Sequence, residues 1–334
     1  MILIDAIYVN YGGALGLLKY LVESLVARNE DFFLLADSRC KGIFDKLPHV
    51  EYQDASEKGR KLFYKSHEGE FSSVFCFGNV PPPYRLKVPV YTYFHNVNML
   101  TLQNCRDWKQ KVKFWMKRTY IKSLRKNTAE WFVQTSNTAK ELTKHLAVPE
   151  EKVKLYPFYK LPAYPQSESP RTDYIFVGEY SGSKGHAELL EAWKLLHEQG
   201  VDLTLHLTIS LGDVILQQLK AAIENGVKII NHGYIPVEEL AGLYMQCKAT
   251  VYPSYNESFG MGLVEAMEAG CDVIASDRPY VHAICEPSKV FEPSSPSSIA
   301  DAIIEYENGS KKETKLLVKD MVNEMIIRII NKQN

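Results

Sequence analysis

The sequence predicts an α/β protein made of two doubly wound domains. Its 334 residues, 46% of them hydrophobic, are about twice an ordinary domain length and can bury two sizeable cores. Short runs rich in Val, Ile, Phe and Tyr alternate with stretches of helical spacing, and the alternation stops once, in a proline- and serine-rich passage, before resuming.

In the first half, Ile2 to Val9, Phe32 to Ala36, Ser73 to Phe77, Val88 to Phe94 and Trp131 to Gln134 read as parallel strands. Leu15 to Ala27 and Asn137 to Leu146 carry the apolar spacing of helices between them. Pro157, Pro162, Pro165 and Pro170, with Ser167 and Ser169, suit an interdomain connection. Alternation resumes with the strand Tyr174 to Gly178, the helix Glu188 to Gln199, the strand Leu203 to Ile209 and the helix Val214 to Asn225. It continues with the strand Val227 to Ile230, a helix from Pro236, and the strand Ala249 to Tyr252. Leu316, Leu317, Met321, Met325 and Ile326 space as one buried face, predicting a terminal helix over Lys311 to Asn331. The expected division is 1–165, 166–312 and a C-terminal helical segment, 313–334, packing back toward the first domain.

Composition narrows the function classes. Thirty-nine basic residues against 40 acidic ones leave a net charge of −1, which gives no reason to expect nucleic acid as a partner. The six cysteines, Cys40, Cys76, Cys105, Cys247, Cys271 and Cys285, are scattered without a Cys-x-x-Cys, against a disulfide framework or zinc site and in favour of a reducing cytosol. Met1 to Asp5 has no basic leader and reads as a first strand, and no uncharged apolar run is long enough to span a bilayer. The charge is uneven, however. Arg106 to Lys126 carries nine Lys or Arg against the single acid Asp107, interleaved with Trp108, Phe114, Trp115, Met116, Tyr120 and Ile121. On a helix, Trp108, Val112, Trp115 and Met116 form a stripe, fitting either attraction to an anionic membrane surface or a solvated basic helix with one buried stripe.

Two places carry the marks of a ligand site. Gly12 and Gly13 follow the opening strand and precede the first helix, where glycines allow close backbone approach and free N–H groups favour a phosphate; a plain strand-to-helix turn is the alternative. The dinucleotide fingerprint Gly-x-Gly-x-x-Gly is absent. The sharper signal runs from Val251 to Ser276, where a strand enters the turn Gly260-Met261-Gly262, a helix opens, and Gly270 stops it. Glu257 precedes that turn and Glu265 lies on the first turns of the helix. Carboxylates there can accept hydrogen bonds from sugar hydroxyls while backbone N–H groups of the turn meet phosphate. His95 ends the strand-like run Tyr91 to Phe94, at the sheet edge where ligands bind, and Asn79 to Arg85 forms a proline-stiffened loop at the same edge.

With these residues the chain resembles the retaining glycosyltransferases of family four, whose Glu-x7-Glu motif Glu257 and Glu265 match. The resemblance extends over Phe176-Val-Gly178, Lys184-Gly185, and Asn231-His-Gly233-Tyr-Ile-Pro236, and it implies the GT-B fold, two Rossmann-like domains facing across a cleft. It implies that Glu257 contacts the donor hexose, that Glu265 holds the ribose hydroxyls, and that the backbone of Phe259, Gly260, Met261, Gly262 and Leu263 meets sugar and phosphates. Lys184 would neutralise the diphosphate, Tyr234 and Ile235 would receive the base, and His95 would lie near the donor sugar. One position departs from the family: the arginine usual after Val-Gly is Glu179 here. Either Glu179 points away, or another cation substitutes, or donor handling differs.

The resemblance implies a nucleotide diphosphate sugar as donor, a hydroxyl of a glycan or lipid-linked acceptor, and domain closure that excludes water. The acceptor would attack on the leaving-group face, so no side-chain nucleophile is required. No Asp-x-Asp occurs, so neither a metal nor another cofactor is expected. The expected setting is bacterial O-antigen, capsule or lipopolysaccharide synthesis, in the cytoplasm or peripherally on the inner membrane. A sugar-nucleotide epimerase of the same fold and a non-catalytic sugar-nucleotide-binding protein remain alternatives.

Overall fold

The computed structural model describes residues 1–102, 107–161, 164 and 171–331. The chain divides into two compact units, Met1–Lys160 with Lys319–Asn334, and Leu161–Val318. Pro162, Pro165, Ser167, Ser169 and Pro170 of the expected connection lie outside the described residues, as do Cys105 and Arg106.

The first unit is built on a parallel sheet of seven strands: β1 Ile2–Ala6, β2 Phe32–Asp37, β3 Val50–Gln53, β4 Ser73–Cys76, β5 Val90–Phe94, β6 Glu130–Val133 and β7 Val153–Leu155. Their spatial order, β3-β2-β1-β4-β5-β6-β7, reverses direction between β1 and β4. β1, β2, β4 and β5 are buried almost throughout because helices cover both faces, and they read as continuous apolar runs. On one face the helix Gly12–Ala27 buries Leu18, Leu21, Val22 and Leu25 against Phe75, Phe77 and Tyr93. The terminal helix Val322–Ile330 adds Val322, Met325, Ile326 and Ile329 to the same cluster. On the other face, Phe63 and Tyr64 of the helix Glu57–Ser66 pack on Leu3, Leu35 and Val74. A buried polar network crosses this face. Arg60 donates from Nε to Asp5 Oδ2 at 2.7 Å, from Nη1 to Pro81 O at 2.8 Å and from Nη2 to Val80 O at 2.8 Å.

The second unit has a parallel sheet of β8 Asp173–Phe176, β9 Leu205–Leu207, β10 Ile229–Asn231, β11 Cys247–Tyr252, β12 Asp272–Ser276 and a last strand Lys289–Phe291. The order is β10-β9-β8-β11-β12 and then the last strand, reversing between β8 and β11.

One sequence expectation needs correction. The terminal helix starts at Val322, eleven residues after Lys311. Residues 311–321 are instead not helical, and 314–317 are held by tertiary bonds: Lys315–Leu316 pairs antiparallel with Cys285–Glu286, Leu317 N donates to Ile284 O, and Thr314 Oγ1 accepts from Val273 N. Such bonds override a helical apolar spacing. The basic segment is mostly helical. It forms the helix Trp108–Leu124, capped by Asp107, which accepts from Gln110 N at 2.7 Å. Its core-facing side is Ile121 with Phe114, packed near Leu142 and Leu146, while the stripe Trp108, Val112, Trp115 and Met116 faces outward. Among the described residues, no helix is long and apolar enough to cross a membrane. The five described cysteines are free and buried.

Candidate functional site

In a doubly wound sheet the loops diverge where the strand order reverses, leaving a crevice at the carboxyl ends of the strands. In the second unit that point lies between β8 and β11, and the loops leaving these strands carry Lys184 and Glu257. They are fastened together: Tyr255 N donates to Ser183 O at 2.8 Å. Gly185, at φ +68°, lies so close to the second loop that an added Cβ would stand 2.4 Å from Pro253 O, so no other residue fits. The result is a short ion pair, Lys184 Nζ to Glu257 Oε1 at 2.6 Å, with the side chains 24% and 20% exposed. The ammonium also lies 5.7 Å from the centroid of the Tyr252 ring.

Behind this pair stands the helix Met261–Glu268. Its cap is Gly260 at φ +79°, which supplies no side chain to the first N–H groups. Gly262 sits over the buried Tyr252 ring, and a Cβ there would be 3.0 Å from Tyr252 Cε2. Phe259 and Leu263 bury their side chains, and Leu263 N donates to Gly260 O at 2.9 Å. Met261 is half-buried. Glu265 is buried on the helix's second turn and accepts from the Tyr244 hydroxyl at 3.2 Å. Burial pushes its pKa above the ordinary glutamate value, against the opposing pull of that hydrogen bond and the Lys184 charge.

Glu179 turns to the loop after β9. Its carboxylate accepts from Ser210 N at 3.1 Å, from Leu211 N at 3.2 Å and from the Ser210 hydroxyl. Burial acts to raise its pKa, but these hydrogen bonds outweigh it and hold the group below the usual range. A carboxylate in the family's arginine position is thus anchored within the fold by loop donors. Beside it, His186 opens the helix His186–Glu198 with Nε2 at 3.1 Å from Gly178 O, and its buried Nδ1 has no partner among the described residues. Burial pushes this histidine down to about 4.

Tyr234 and Ile235 follow β10, two strands from β8. The Tyr234 ring is 75% exposed beside Gly233 at φ +67°, whereas Ile235 packs partly against Leu240 and Tyr244. Upstream of them lies a chain the sequence reading missed. His206 pairs through Nε2 with Asp173 Oδ2 at 3.0 Å and through Nδ1 with His232 Nε2 at 2.9 Å, the two imidazoles stacking at 5.2 Å. Sequence carries a signal for it only after the strands are paired, because Ile230 lies opposite His206.

In the first unit, Gly12, Gly13, Asn79 and His95 stand at one sheet edge, after β1, β4 and β5. Gly12 has φ +63°, and a Cβ at either glycine would meet nothing within 4 Å. His95 N donates to Asn79 Oδ1 at 2.7 Å, and Asn79 Nδ2 lies 3.3 Å from His95 Nε2. The imidazole packs near the rings of Phe77 and Tyr93, centroids at 5.6 and 5.9 Å, and its enclosed Nδ1 has no partner among the described residues. Burial brings its pKa down to about 4. The fold therefore brings Lys184, Glu257, Gly260, Gly262 and Glu265 together in one unit, and Gly12, Gly13 and His95 along one edge of the other. Asn79, Tyr252 and Tyr244 complete these clusters. Asn79 is the one residue of the three that an isolated sequence hints at, through its place before a proline run.

Residues 162–317 match the family described as Glycosyl transferases group 1. The serotype-specific mannosyltransferase WbdA of Escherichia coli is 32% identical over 137 residues, 40% of this chain and 17% of that protein. The O-antigen chain mannosyltransferase B of Escherichia coli is 28% identical over 217 residues, 58% of this chain and 54% of that protein. The chain thus spans about half, or less, of the length of these relatives. Among solved structures, Anabaena Alr3699/HepE in complex with UDP-glucose superposes with a TM-score of 0.69 at 14% identity, over 99% of this chain and 95% of that one. The fold is GT-B, two doubly wound α/β units. The match to the group 1 glycosyltransferases falls on the second unit and a few residues around it.

Proposed function

We propose that this chain is a retaining, metal-independent glycosyltransferase. It moves a hexose-type sugar from a nucleotide diphosphate sugar to a hydroxyl of a glycan or lipid-linked acceptor in bacterial cell-surface polysaccharide synthesis. The observation that carries the reading is the Lys184–Glu257 pair, 2.6 Å long, at the strand-order reversal beside the uncapped helix start at Gly260. An ammonium poised against a carboxylate, beside a helix start that no side chain caps, offers contacts to a sugar hydroxyl and to phosphate.

In this reading Glu257 binds the donor hexose and Glu265 the ribose hydroxyls. Lys184 and the backbone of Phe259 to Leu263 stabilise the charge that grows on the departing diphosphate. Tyr234 stacks on the base, and Ile235 meets it through its backbone. At the edge of the first unit, Gly12 and Gly13 leave room for a phosphate or sugar, and His95 donates to a sugar oxygen. The acceptor hydroxyl attacks on the face the phosphate leaves, and that phosphate oxygen takes its proton. Absence of Asp-x-Asp from the sequence supports metal independence, and the mannosyltransferases among the relatives make mannosyl nucleotides the first donors to try. The outward Trp108, Val112, Trp115 and Met116 stripe, 71% exposed at Trp108, supports docking of the basic helix on an anionic membrane surface at the cytoplasmic face.

A thermal-shift screen of UDP-, GDP-, ADP- and CMP-sugars tests the reading, since a ligand that binds the native state raises Tm by mass action. One nucleotide class should stabilise the protein, and Glu257→Ala should abolish that shift. No shift with any of them overturns the assignment. Conversion of donor without acceptor to an isomeric sugar nucleotide would indicate the epimerase instead, and binding without turnover the sensor.

A further inference from the structure

We propose that Asn79 is a positioning residue that locks His95 in its Nδ1–H tautomer, so that His95 meets ligand as a neutral hydrogen-bond donor and not as a base. The functional half rests on the glycosyltransferase reading; the tautomer does not.

A backbone N–H can only donate. The His95 N–H therefore fixes Asn79 Oδ1, 2.7 Å away, as its acceptor, and this turns the amide nitrogen toward the imidazole. Asn79 Nδ2 then faces His95 Nε2 at 3.3 Å and can only donate to it, so Nε2 is the ring's acceptor and the proton sits on Nδ1. The same contact occupies the lone pair a general base would use.

The clamp is rigid. Asn79 has φ +67°, a left-handed conformation that a short polar side chain tolerates and most residues resist. The next two carbonyls, Val80 and Pro81, each accept from Arg60 at 2.8 Å, and Arg60 is held by Asp5. Around the ring stand Phe77 and Tyr93, and burial, with no charged neighbour contributing, is what depresses the His95 pKa. The remaining Nδ1–H is enclosed and has no acceptor among the described residues. Buried donors are nearly always paired, so an unpaired one at a ligand edge marks where an oxygen of a sugar hydroxyl or phosphate completes the bond.

The experiment is nitrogen-15 NMR of histidine-labelled protein without donor, comparing wild type with the near-isosteric Asn79→Asp and with His95→Gln for assignment. Wild-type His95 should show Nδ1 protonated and Nε2 bare, unchanged between pH ~5 and ~8. In Asn79→Asp the carboxylate should attract a proton to Nε2, reverse the tautomer and raise the His95 pKa. Transfer should then fall about tenfold or more at neutral pH and acquire a new pH dependence that a purely structural defect would not give. Wild-type His95 protonated on Nε2, or titrating near ~6.5, overturns the proposal. An unchanged tautomer in a folded Asn79→Asp protein does the same. If that variant fails to fold, the wild-type spectrum still decides. An intact tautomer in a protein that binds no sugar nucleotide would count against the glycosyltransferase reading alone.

Discussion

Arg60→Met removes one member of a buried ion pair in the first unit and tests how the Asn79 loop is held. Arg60 and Asp5 are each 1% exposed, with Nε and Oδ2 at 2.7 Å. Without the guanidinium, Asp5 keeps the Tyr64 hydroxyl at 2.5 Å and the Ile7 N–H at 3.4 Å, and the carbonyls of Val80 and Pro81 lose donors that stood at 2.8 Å. Breaking a buried pair from one side costs about 3–5 kcal/mol, chiefly from the charge left behind. Two released carbonyls push the expectation to the upper end, ~4–5 kcal/mol, a large share of a domain's stability. Hydrogen exchange localises the loss: amides of β1 and β4 should lose protection by roughly three orders of magnitude, since 1.4 kcal/mol is tenfold, while those of β8 and β11 stay unchanged. Adding Asp5→Asn should recover much of the stability, because the stranded charge is then gone. A loss under ~1 kcal/mol, or a double variant no better than the single one, would refute the account.

Three further outcomes are expected. Lys184→Ala and Glu257→Ala should each lower turnover about a hundredfold or more, with the lysine variant weakened most toward the diphosphate, as read by competition with the nucleoside diphosphate. Retained turnover in either would remove the pair from the site. Glu265→Gln should weaken donor binding yet stabilise the ligand-free protein at neutral pH. A carboxyl whose folded pKa is raised binds more protons folded than unfolded, so wild-type stability falls as pH rises from the unfolded glutamate value through the raised one. The variant's advantage should therefore grow from pH ~4 to ~8 in urea titrations, and a constant difference would contradict the sign. Trp108→Ala with Trp115→Ala should reduce sedimentation with anionic vesicles without changing turnover on a soluble acceptor, and binding that persists at high salt with neutral lipid would exclude the basic helix as the cause.

The element pattern of both halves could be read because parallel strands buried on both faces are largely apolar, as Phe32–Asp37 shows up to its last residue. Val50–Gln53 and Val153–Leu155 were missed because edge strands this short and only partly buried carry no such run. The helix Glu57–Ser66 is not legible for another reason: its buried face includes an arginine, which reads as polar until its partner Asp5, 55 residues away, is known. At the site, Glu257 and Glu265 were legible because both belong to one strand-turn-helix stretch. Asn79 as the clamp on His95 was not, since the contact joins the ends of two neighbouring strands.

By itself the sequence determined the periodicities, and with them two doubly wound units, and it determined the glycine and carboxylate spacing that resembles a glycosyltransferase motif. These are local properties, fixed by backbone conformation and burial over a few residues at a time. Tertiary structure alone decided the fate of Glu179, whose charge is taken up by the loop at Ser210 and Leu211. It also decided that the spacing after Lys311 would not be helical, because Lys315 and Leu316 found a strand partner. In both cases a long-range hydrogen bond, invisible to any window of sequence, outweighed the local preference.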